Sequence, residues 1–301
     1  MSVNAIDRCD ALEAALMARV GDLYADALRT AIKKRAAFLR KIEAVDEGRI
    51  KPPKYYVDTG QVDRWREGFV RELIRQNQVI EGIMEEINKA GAQAAEMIRD
   101  TMPEYWEINR TEAVERFSVE IENAGIDGTF KKQTRRQIEI LLSENESPFS
   151  KLAYMNLGQN LAVRRRLQNE LAQAAILGES QSQIIKRIRN VTGQAQWQAK
   201  RVAQTERTRV QSQARWEAGN EAMALGVKVI NEWSARMVNT RDTHAALDGK
   251  VALQGEYFPG SPLRYPGDPT APAGEVINCH CVLIPDVLRD GQMVVDGRVV
   301  G

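Results

Sequence analysis

The amino-acid sequence predicts an α+β protein in which an elongated N-terminal α-helical arm or bundle precedes a small α+β domain with antiparallel hairpins. In the first half of the 301 residues, apolar side chains recur at helical spacing over long stretches. After Gly226 the sequence changes to a short run rich in β-branched residues, and then to a stretch rich in Gly and Pro. We therefore expect residues 1–165 to form the helical arm and residues 166–301 to form the second domain.

Two long helices are predicted in the first hundred residues. The first extends over residues 10–45, and adjacent prolines soon after it prevent its continuation. The second begins after an N-cap at Asp58 or Thr59 and ends at Pro103, because proline lacks the amide hydrogen that an interior helix position uses. Shorter helices are expected over residues 104–124, 131–142 and 148–177.

Two Asp-Gly pairs predict tight turns between antiparallel strands. Asp248-Gly249 and Asp296-Gly297 are each flanked by apolar residues. The central residues of a type I′ turn need positive φ, which Gly adopts freely and Asp adopts more readily than most residues. We expect each pair to close a hairpin of a small antiparallel sheet.

The composition argues against a membrane protein and against a disulfide-stabilised secreted one. No run of about eighteen apolar residues occurs, and the first residues lack the basic and apolar parts of a signal peptide. Of the three cysteines, Cys279 and Cys281 are too close in sequence for an unstrained bridge. We expect a protein made in a cytosol, without a membrane partner, whose cysteines are reduced thiols or metal ligands.

Basic residues are concentrated in the centre of the chain, although the formal net charge is only +1. Residues 131–215 hold 16 Lys or Arg, six Glu and no Asp, whereas the remaining residues hold 26 basic and 35 acidic side chains. Such a segment attracts polyanions, so non-specific DNA binding stands beside the alternative of ordinary solvated helix faces. The candidate DNA-binding residues are Arg135, Arg136, Arg164, Arg165, Arg166, Lys186, Arg187 and Arg189.

Both histidines and two of the three cysteines lie in the predicted second domain. His244, Cys279 and Cys281 have the chemistry of a zinc site, because zinc prefers thiolate and imidazole ligands. A structural ion would also compensate for a small apolar core. The Cys-x-Cys spacing differs, however, from the usual Cys-x₂₋₄-Cys, and the same side chains can form hydrogen bonds to loops instead. The sequence thus leaves two alternatives open, no cofactor or one zinc ion.

Glu206 lies on a predicted helix and has several potential partners. It can pair with Lys200 or Arg209 on the same helix, or reach Arg241 in the following segment. Glu and Arg three or four residues apart on a helix commonly pair. We therefore expect a buried or half-buried ion pair that orients the helix against the sheet.

A series of short motifs follows in the C-terminal part of the chain. They are, in order, Ile176-Leu177-Gly178-Glu179-Ser180, Arg201-Val202-Ala203-Gln204-Thr205-Glu206, Trp233, Arg241-Asp242-Thr243-His244, Leu247-Asp248-Gly249, Tyr265-Pro266-Gly267-Asp268-Pro269 and Asn278-Cys279-His280-Cys281. Their order and spacing resemble the minor-head domain typified by protein F of phage Mu. Two features depart from that family: His280 stands where arginine is commoner, and the acidic residue usual shortly before Arg-x-x-His is absent.

The resemblance implies a structural protein of a tailed-phage head, present in few copies and associated with the portal vertex. Its implied partners are the portal protein, capsid or scaffold proteins and packaged DNA. Its implied location is the virion head, after assembly in the bacterial cytoplasm, and its implied role is in head morphogenesis and in DNA packaging or ejection. The motif residues expected to maintain the structure of the domain are Glu206, Trp233, Gly249, Pro266, Asp268 and Asn278.

An enzymatic alternative rests on residues of the same motifs. Some proteins similar to this family have been compared with ADP-ribosyltransferases, and a nuclease carried in the virion is a related alternative. The catalytic residues would then be Arg241, His244, Asp248 and Glu275, provided that they converge in space. The Glu-x-Glu ending of the transferases is missing, and no Gly-rich phosphate loop occurs. We therefore expect a structural protein without enzyme activity.

Overall fold

The computed structural model describes residues 3–75, 78–146, 148–237 and 240–301. The helices in these ranges are α1 (Val3–Lys34), α2 (Ala36–Asp46), α3 (Lys54–Asp58), α4 (Val62–Arg75), α5 (Gln78–Asn123), α6 (Arg135–Glu144), α7 (Pro148–Gly158), α8 (Leu161–Ile176), α9 (Gln181–Ala224), α10 (Asp242–Ala245) and α11 (Ala273–Val276). The strands are β1 (Val229–Ser234), β2 (Val251–Leu253), β3 (Val282–Val287), β4 (Met293–Val295) and β5 (Arg298–Val300). The predicted α+β class is confirmed. None of the described helices combines the length and apolar character needed to cross a bilayer.

The chain folds into two compact units, each assembled from separate segments of the sequence. Unit 1 comprises residues 1–17, 97–152 and 201–301, and unit 2 comprises residues 18–96 and 153–200. Unit 1 holds the described strands together with parts of the long helices. Unit 2 is built from helices and their connections.

The predicted boundary between residues 165 and 166 falls inside α8. Unit 1 combines C-terminal residues with segments from the N-terminal half of the chain. Phe117 of α5, for example, belongs to the same buried apolar cluster as Ala218 of α9 and Val229 of β1. The division of function at this boundary stays a prediction. The two compact units do not coincide with it, because each of them combines segments from both sides of the boundary.

The predicted helix over residues 10–45 is interrupted at Arg35. The backbone there has φ −104° and ψ 10°, so α1 ends one residue before it and α2 begins one residue after it. Apolar side chains remain buried after the break, among them Phe38 and Ile42. The periodicity on which the prediction rested therefore continues through a backbone irregularity at Arg35 that it does not detect.

The prediction that a helix ends at Pro103 is wrong, because α5 continues through it to Asn123. A proline inside a helix costs about 3 kcal/mol. Burial of one large apolar side chain contributes about 1.5–3 kcal/mol. Ile98, Tyr105 and Trp106, which lie on both sides of the proline, are fully buried. Their burial offsets the cost of the proline, and the helix predicted over residues 104–124 is the second part of α5.

Residues 148–177 form two helices, where the sequence predicted one. α7 ends at Gly158, and α8 begins at Leu161 after an N-cap at Asn160. The Asn160 side chain accepts a hydrogen bond from the backbone N–H of Val163 at 3.0 Å. This bond satisfies one of the free donors at the start of α8.

β1 is the central strand of a three-stranded antiparallel sheet with the order β2-β1-β3. In its register, Asn231 lies opposite Ala252 of β2 and Pro285 of β3. Trp233 of the same strand is fully buried. The apolar cluster around it includes Leu247, Phe258, Leu263, Cys279, Cys281 and Leu283.

One of the two predicted hairpins is confirmed. Asp296 and Gly297, with φ 49° and 74°, connect the antiparallel strands β4 and β5. The prediction for Asp248-Gly249 is wrong, because this pair lies between α10 and β2 and not between two strands. Gly249 does have the left-handed φ of 71°. The antiparallel strands β1 and β2 are joined by the whole segment 235–250, which contains α10.

Candidate functional site

His244, Cys279 and Cys281, which we call the His-Cys cluster, lie together in the interior of unit 1. His244 belongs to α10, whereas the two cysteines lie in the connection from α11 to β3. One ligand atom from each residue lies within 4.8 Å of the others. His244 Nδ1 is 3.5 Å from the Sγ atom of each cysteine. All three side chains are at most 2% exposed, so the structure brings the candidate metal ligands together in the buried interior.

The two ring nitrogens of His244 face different groups. Nδ1 faces the sulfurs, and Nε2 lies 2.9 Å from Glu275 Oε2, although these two atoms lack the alignment of a regular hydrogen bond. Thr243 Oγ1 donates to the same carboxylate oxygen at 3.1 Å. The Trp233 ring packs edge-on against the imidazole, with 5.0 Å between the ring centroids. These contacts hold the imidazole with Nδ1 directed at the cysteines.

The pKa values of the two thiols shift in opposite directions because the thiols interact with each other. The hydrogen bond from Cys279 holds the pKa of Cys281 well below its ordinary value, against the effect of burial, and His244 lowers it further. The same interaction, together with burial, raises the pKa of Cys279. The pair therefore titrates as one system in which the first negative charge forms readily and the second does not.

The loop that carries the cysteines is held by one face of α9. Thr205 Oγ1 accepts a hydrogen bond from the backbone N–H of Asn278 at 2.9 Å. Gln204 and Thr208 both donate to the carbonyl oxygen of Cys279, at 3.0 Å and 2.5 Å. Asn278 has a left-handed φ of 57°, a conformation that Asn tolerates better than most residues. The motif positions on α9 and in the loop thus form one hydrogen-bonded unit.

The loop Tyr265–Pro269 packs directly on the backbone of α9. Gly267 has φ 78°, and a Cβ atom added there would lie 2.9 Å from Cα of Arg209. Pro266 is buried beside it, and the Tyr265 ring packs against Trp216 of α9 with 5.0 Å between centroids. Glycine is therefore required at this position both for its φ and for the close approach of the two backbones.

Asp268 holds the same loop in shape from inside. Its side chain is fully buried and accepts hydrogen bonds from the Arg264 side chain at 2.9 Å and from Thr270 Oγ1 at 2.7 Å. Burial acts to raise the pKa of Asp268, but the bonds from Arg264 and Thr270 outweigh it and hold the pKa below the ordinary value. The charged carboxylate therefore stabilises the fold at neutral pH, and this contribution is lost as the pH falls through the lowered pKa.

Glu206 forms the expected buried ion pair with Arg209, while its role in orienting α9 against the sheet stays a prediction. The carboxylate is 1% exposed, and Oε2 lies 2.8 Å from Nη2 of Arg209 and 3.1 Å from its Nε. Ser150 Oγ donates to the other carboxylate oxygen. Arg209 also donates to the carbonyl of Asn145 at 3.3 Å. The pair thus connects α9 with the segment between α6 and α7 and with the start of α7.

Several arginines of the basic central segment lie inside unit 1. Arg207 is 2% exposed and lies 2.8 Å from Glu13 of α1. Arg215 is 3% exposed, lies 2.7 Å from Glu112 of α5 and donates to the carbonyl of Leu283. Burial lowers the pKa of Arg215, against the attraction of Glu112. Together with Arg209, these residues are internal ion-pair partners, so the count of basic residues in the sequence overstates the charge available to DNA.

The eight candidate DNA-binding residues differ in their availability. Arg164 pairs with Glu81, and Arg187 lies between Glu170 and Glu179. Arg135 and Arg166 are exposed and make looser pairs along their own helices. The residues that are exposed and make no ion pair with any described residue are Arg136, Arg165, Lys186 and Arg189.

The four residues of the enzymatic alternative have separate structural roles. His244 and Glu275 are brought together, as described above. Arg241 donates to the carbonyl of Ile277. Asp248 is exposed, and its carboxylate accepts a hydrogen bond from the backbone N–H of Ala235 at 2.8 Å. Asp248 thus ties the end of β1 to the segment before β2, and Gly249 donates to the carbonyl of Trp233 at 2.8 Å in the same connection.

Sequence reasoning missed some residues that position the His-Cys cluster and its neighbouring loop. Gln204 belongs to one of the motifs but has no predicted role there, and Thr208 and Arg264 belong to no predicted site. For Gln204 and Thr208 the available signal was spacing, because residues four apart share one face of a helix. Arg264 and Asp268 are also four residues apart, but they lie in a loop, where this spacing predicts no contact. Their partners lie far away in sequence or within a loop, so no periodic pattern identifies them.

The geometry defines a class of domain in which a long helix, a small antiparallel sheet and Gly- and Pro-rich loops enclose a buried His-Cys cluster. Residues 165–284 match the model of the family described as Phage Mu protein F like protein. This range contains every motif on which the resemblance was based. The predicted resemblance is confirmed, and the chain carries a phage Mu protein F-like region.

Two curated proteins are similar to parts of the chain. Minor head protein GP7 of Bacillus phage SPP1 is 30% identical over 162 residues, which are 52% of this chain and 49% of that protein. Uncharacterized protein YqbB of Bacillus subtilis (strain 168) is 34% identical over 107 residues, which are 34% of this chain and 32% of that protein. The chain therefore spans about half the length of the first relative and about a third of the second. No solved structure matches the chain.

Proposed function

We propose that the chain is a structural protein of a tailed-phage head that acts at the portal vertex in head morphogenesis and in DNA packaging or ejection. The observation that carries the proposal is the match of residues 165–284 to the Mu protein F-like family. Similarity to a protein named Minor head protein supports it. Its partners on this proposal are the portal protein, capsid or scaffold proteins and packaged DNA.

The geometry of the motifs favours this structural function over a transferase or nuclease. A catalytic histidine has to reach a substrate, and His244 is 1% exposed. The Asp248 carboxylate accepts a hydrogen bond from the backbone N–H of Ala235, and Arg241 donates one to the carbonyl of Ile277. Each of these side chains therefore has a partner that maintains the fold.

We place docking on the head in the helical residues 1–165, and the candidate contacts there are the exposed apolar side chains of α7 and α8. In unit 2, Met155 near the end of α7 and Leu161 at the start of α8 are 65% and 68% exposed. Exposed apolar side chains near one another along the chain are typical of protein contact surfaces. Deletion of residues 1–150 is a poor test, since it removes Phe117 and its neighbours from the core of unit 1.

The docking proposal predicts that Met155→Asp with Leu161→Asp reduces incorporation into phage heads by about tenfold or more, because an anchor side chain in an interface often contributes about 2 kcal/mol or more. Copy number would be measured by quantitative immunoblotting of purified heads, alongside co-purification with the portal protein. Met293→Asp, at a residue that is 58% exposed in β4, is the matched control and should leave incorporation unchanged. Normal copy number in the double variant, with the folded protein present in the cell, would place docking elsewhere.

The exposed basic residues of unit 2 support a non-specific DNA contact. Arg165 lies on α8, and Lys186 and Arg189 lie near the start of α9. Exposed cations without carboxylate partners can neutralise phosphates and release counterions without reading base edges. Arg164 and Arg187, which are held by glutamates, are omitted from the DNA contact that we propose.

Replacing Arg165, Lys186 and Arg189 with Ala should lower the slope of log K against log salt by about 0.9 for each phosphate that is no longer neutralised, or nearly 3 in total. Binding to a duplex of random sequence would be followed by fluorescence anisotropy between low and moderate salt. The control replaces Lys41, Lys51 and Lys54, which are exposed residues outside the basic segment, and removes the same net charge. An equal change in slope for both triple variants would mean that only overall charge matters, and the proposed DNA contact would be refuted.

A further inference from the structure

We propose that the His-Cys cluster binds one zinc ion, with His244 Nδ1 and the two sulfurs of Cys279 and Cys281 as ligands. Both cysteines bind as thiolates, their protons pass to solvent, and a water molecule completes the four positions. The function inferred is structural, because the ion would join α10 to the loop before β3. The proposal stands on the geometry of unit 1 and is independent of the role of the chain in a phage head.

The two nitrogen–sulfur distances in the cluster agree with those between ligands of one tetrahedral zinc ion, and the two sulfurs lie within 4.8 Å of each other. With zinc–nitrogen at about 2.0–2.1 Å and zinc–sulfur at about 2.3 Å, a nitrogen and a sulfur lie about 3.5 Å apart. His244 Nδ1 lies 3.5 Å from both Cys279 Sγ and Cys281 Sγ. One ion can therefore contact all three atoms with little movement of the chain.

Hydrogen bonds within the cluster satisfy the three side chains less completely than a shared cation would. Two sulfurs face the same Nδ1 atom of His244, and one imidazole nitrogen makes one strong hydrogen bond, either as donor or as acceptor. Cys279 Sγ is also approached by the backbone N–H of Cys281 at 3.4 Å. Buried polar groups nearly always have a partner. A cation would satisfy the imidazole and both sulfurs together.

The surroundings of His244 supply the support that metal-binding histidines usually have. Such a histidine commonly donates its second N–H to a carboxylate, which fixes the tautomer and directs the other nitrogen at the metal. His244 Nε2 is buried without a regular hydrogen bond and lies 2.9 Å from Glu275 Oε2. A small rotation of the ring would complete that bond and leave the Nδ1 lone pair directed at the ion.

The position of the cluster explains why an ion would matter for stability. The two cysteines lie among the apolar side chains of Trp233, Phe258 and Leu283. α10 and α11 have only four residues each, and helices this short have little stability of their own. An ion shared by α10 and the cysteine loop would hold these segments against the sheet.

The test measures metal content of the full-length chain purified without a polyhistidine tag and without chelators. We expect about one zinc per chain by elemental mass spectrometry, and less than about 0.1 for His244→Ala, Cys279→Ser and Cys281→Ser. Cys9 and His280 are the remaining cysteine and histidine of the chain. Cys9→Ser and His280→Ala are therefore matched controls, and both should keep one zinc.

A second measurement keeps the proposal testable if the ligand variants fail to fold. Removing zinc from the unmodified chain with a strong chelator should lower its Tm by about 10 °C or more, and zinc alone should restore it. Cobalt added to the metal-free chain should give the intense absorption of thiolate-bound cobalt. Three results would each overturn the proposal. They are an unchanged Tm after zinc is removed, a different metal bound at full occupancy, and a mass two hydrogens lower because Cys279 and Cys281 form a disulfide.

Discussion

Replacing Glu206 with Ala is expected to lower the free energy of unfolding of unit 1 by about 3–5 kcal/mol, the usual cost of removing one partner of a buried ion pair. Arg209 would remain buried at 3% exposure and would keep its hydrogen bonds to Asn145 and Gln213, but it would lose the carboxylate of Glu206. Its charge would then lose the compensation that Glu206 supplies, in a medium that solvates it poorly. The measurement is thermal and denaturant unfolding of the full chain, where the transition of unit 1 should fall by about 10 °C.

The control for this experiment is Glu139→Ala, at an exposed Glu that pairs with Arg135 on α6. Surface pairs of this kind contribute about 0.2–1 kcal/mol, so the stability should hardly change. The paired replacement of Glu206 with Gln and Arg209 with Met should recover much of the loss, because it leaves no buried charge. If Glu206→Ala were no more harmful than Glu139→Ala, the pair would not be a buried one in solution.

Gly267→Ala is expected to destabilise the loop Tyr265–Pro269 by about 2–5 kcal/mol, the sum of left-handed strain and steric overlap. The new Cβ atom would lie 2.9 Å from Cα and 3.0 Å from N of Arg209, and the φ of 78° is unfavourable for alanine. The neighbouring atoms belong to the backbone of a helix, so they cannot rotate away. The loop would have to move from α9, which would disturb the packing of Tyr265 on Trp216.

Gly260→Ala separates the two causes of this effect. Gly260 has a similar φ of 72°, but no atom lies within 4 Å of a Cβ added there. It should therefore show the conformational cost alone, about 1–2 kcal/mol. Equal losses of stability in the two variants would show that the loop does not rest on α9 as closely as the structure indicates. Near-ultraviolet circular dichroism would report the change at Trp216 and Tyr265 independently of stability.

The parts of the fold that were predictable from sequence are those set by local chemistry. Helical content followed from apolar periodicity, and the Asp296-Gly297 turn followed from the φ angles that these residues allow. Pro103 shows the limit of such rules. Its local cost was judged correctly, but its place inside a helix depends on the burial of Tyr105 and Trp106. That burial arises from neighbours distant in sequence, which no window of residues reveals.

The sequence by itself determined the α+β class, the similarity to the phage Mu protein F-like family and the chemical types present in its motifs. Tertiary structure decided which of these groups meet and which are buried. It brought His244 within 3.5 Å of two sulfurs more than thirty residues later in the chain. It also placed Arg207, Arg209 and Arg215 in internal ion pairs. A count of basic residues in the sequence includes these three among the charges that could attract DNA. The physical reason is that periodicity and turn preference are local properties, whereas the burial of a charge depends on partners supplied by distant segments.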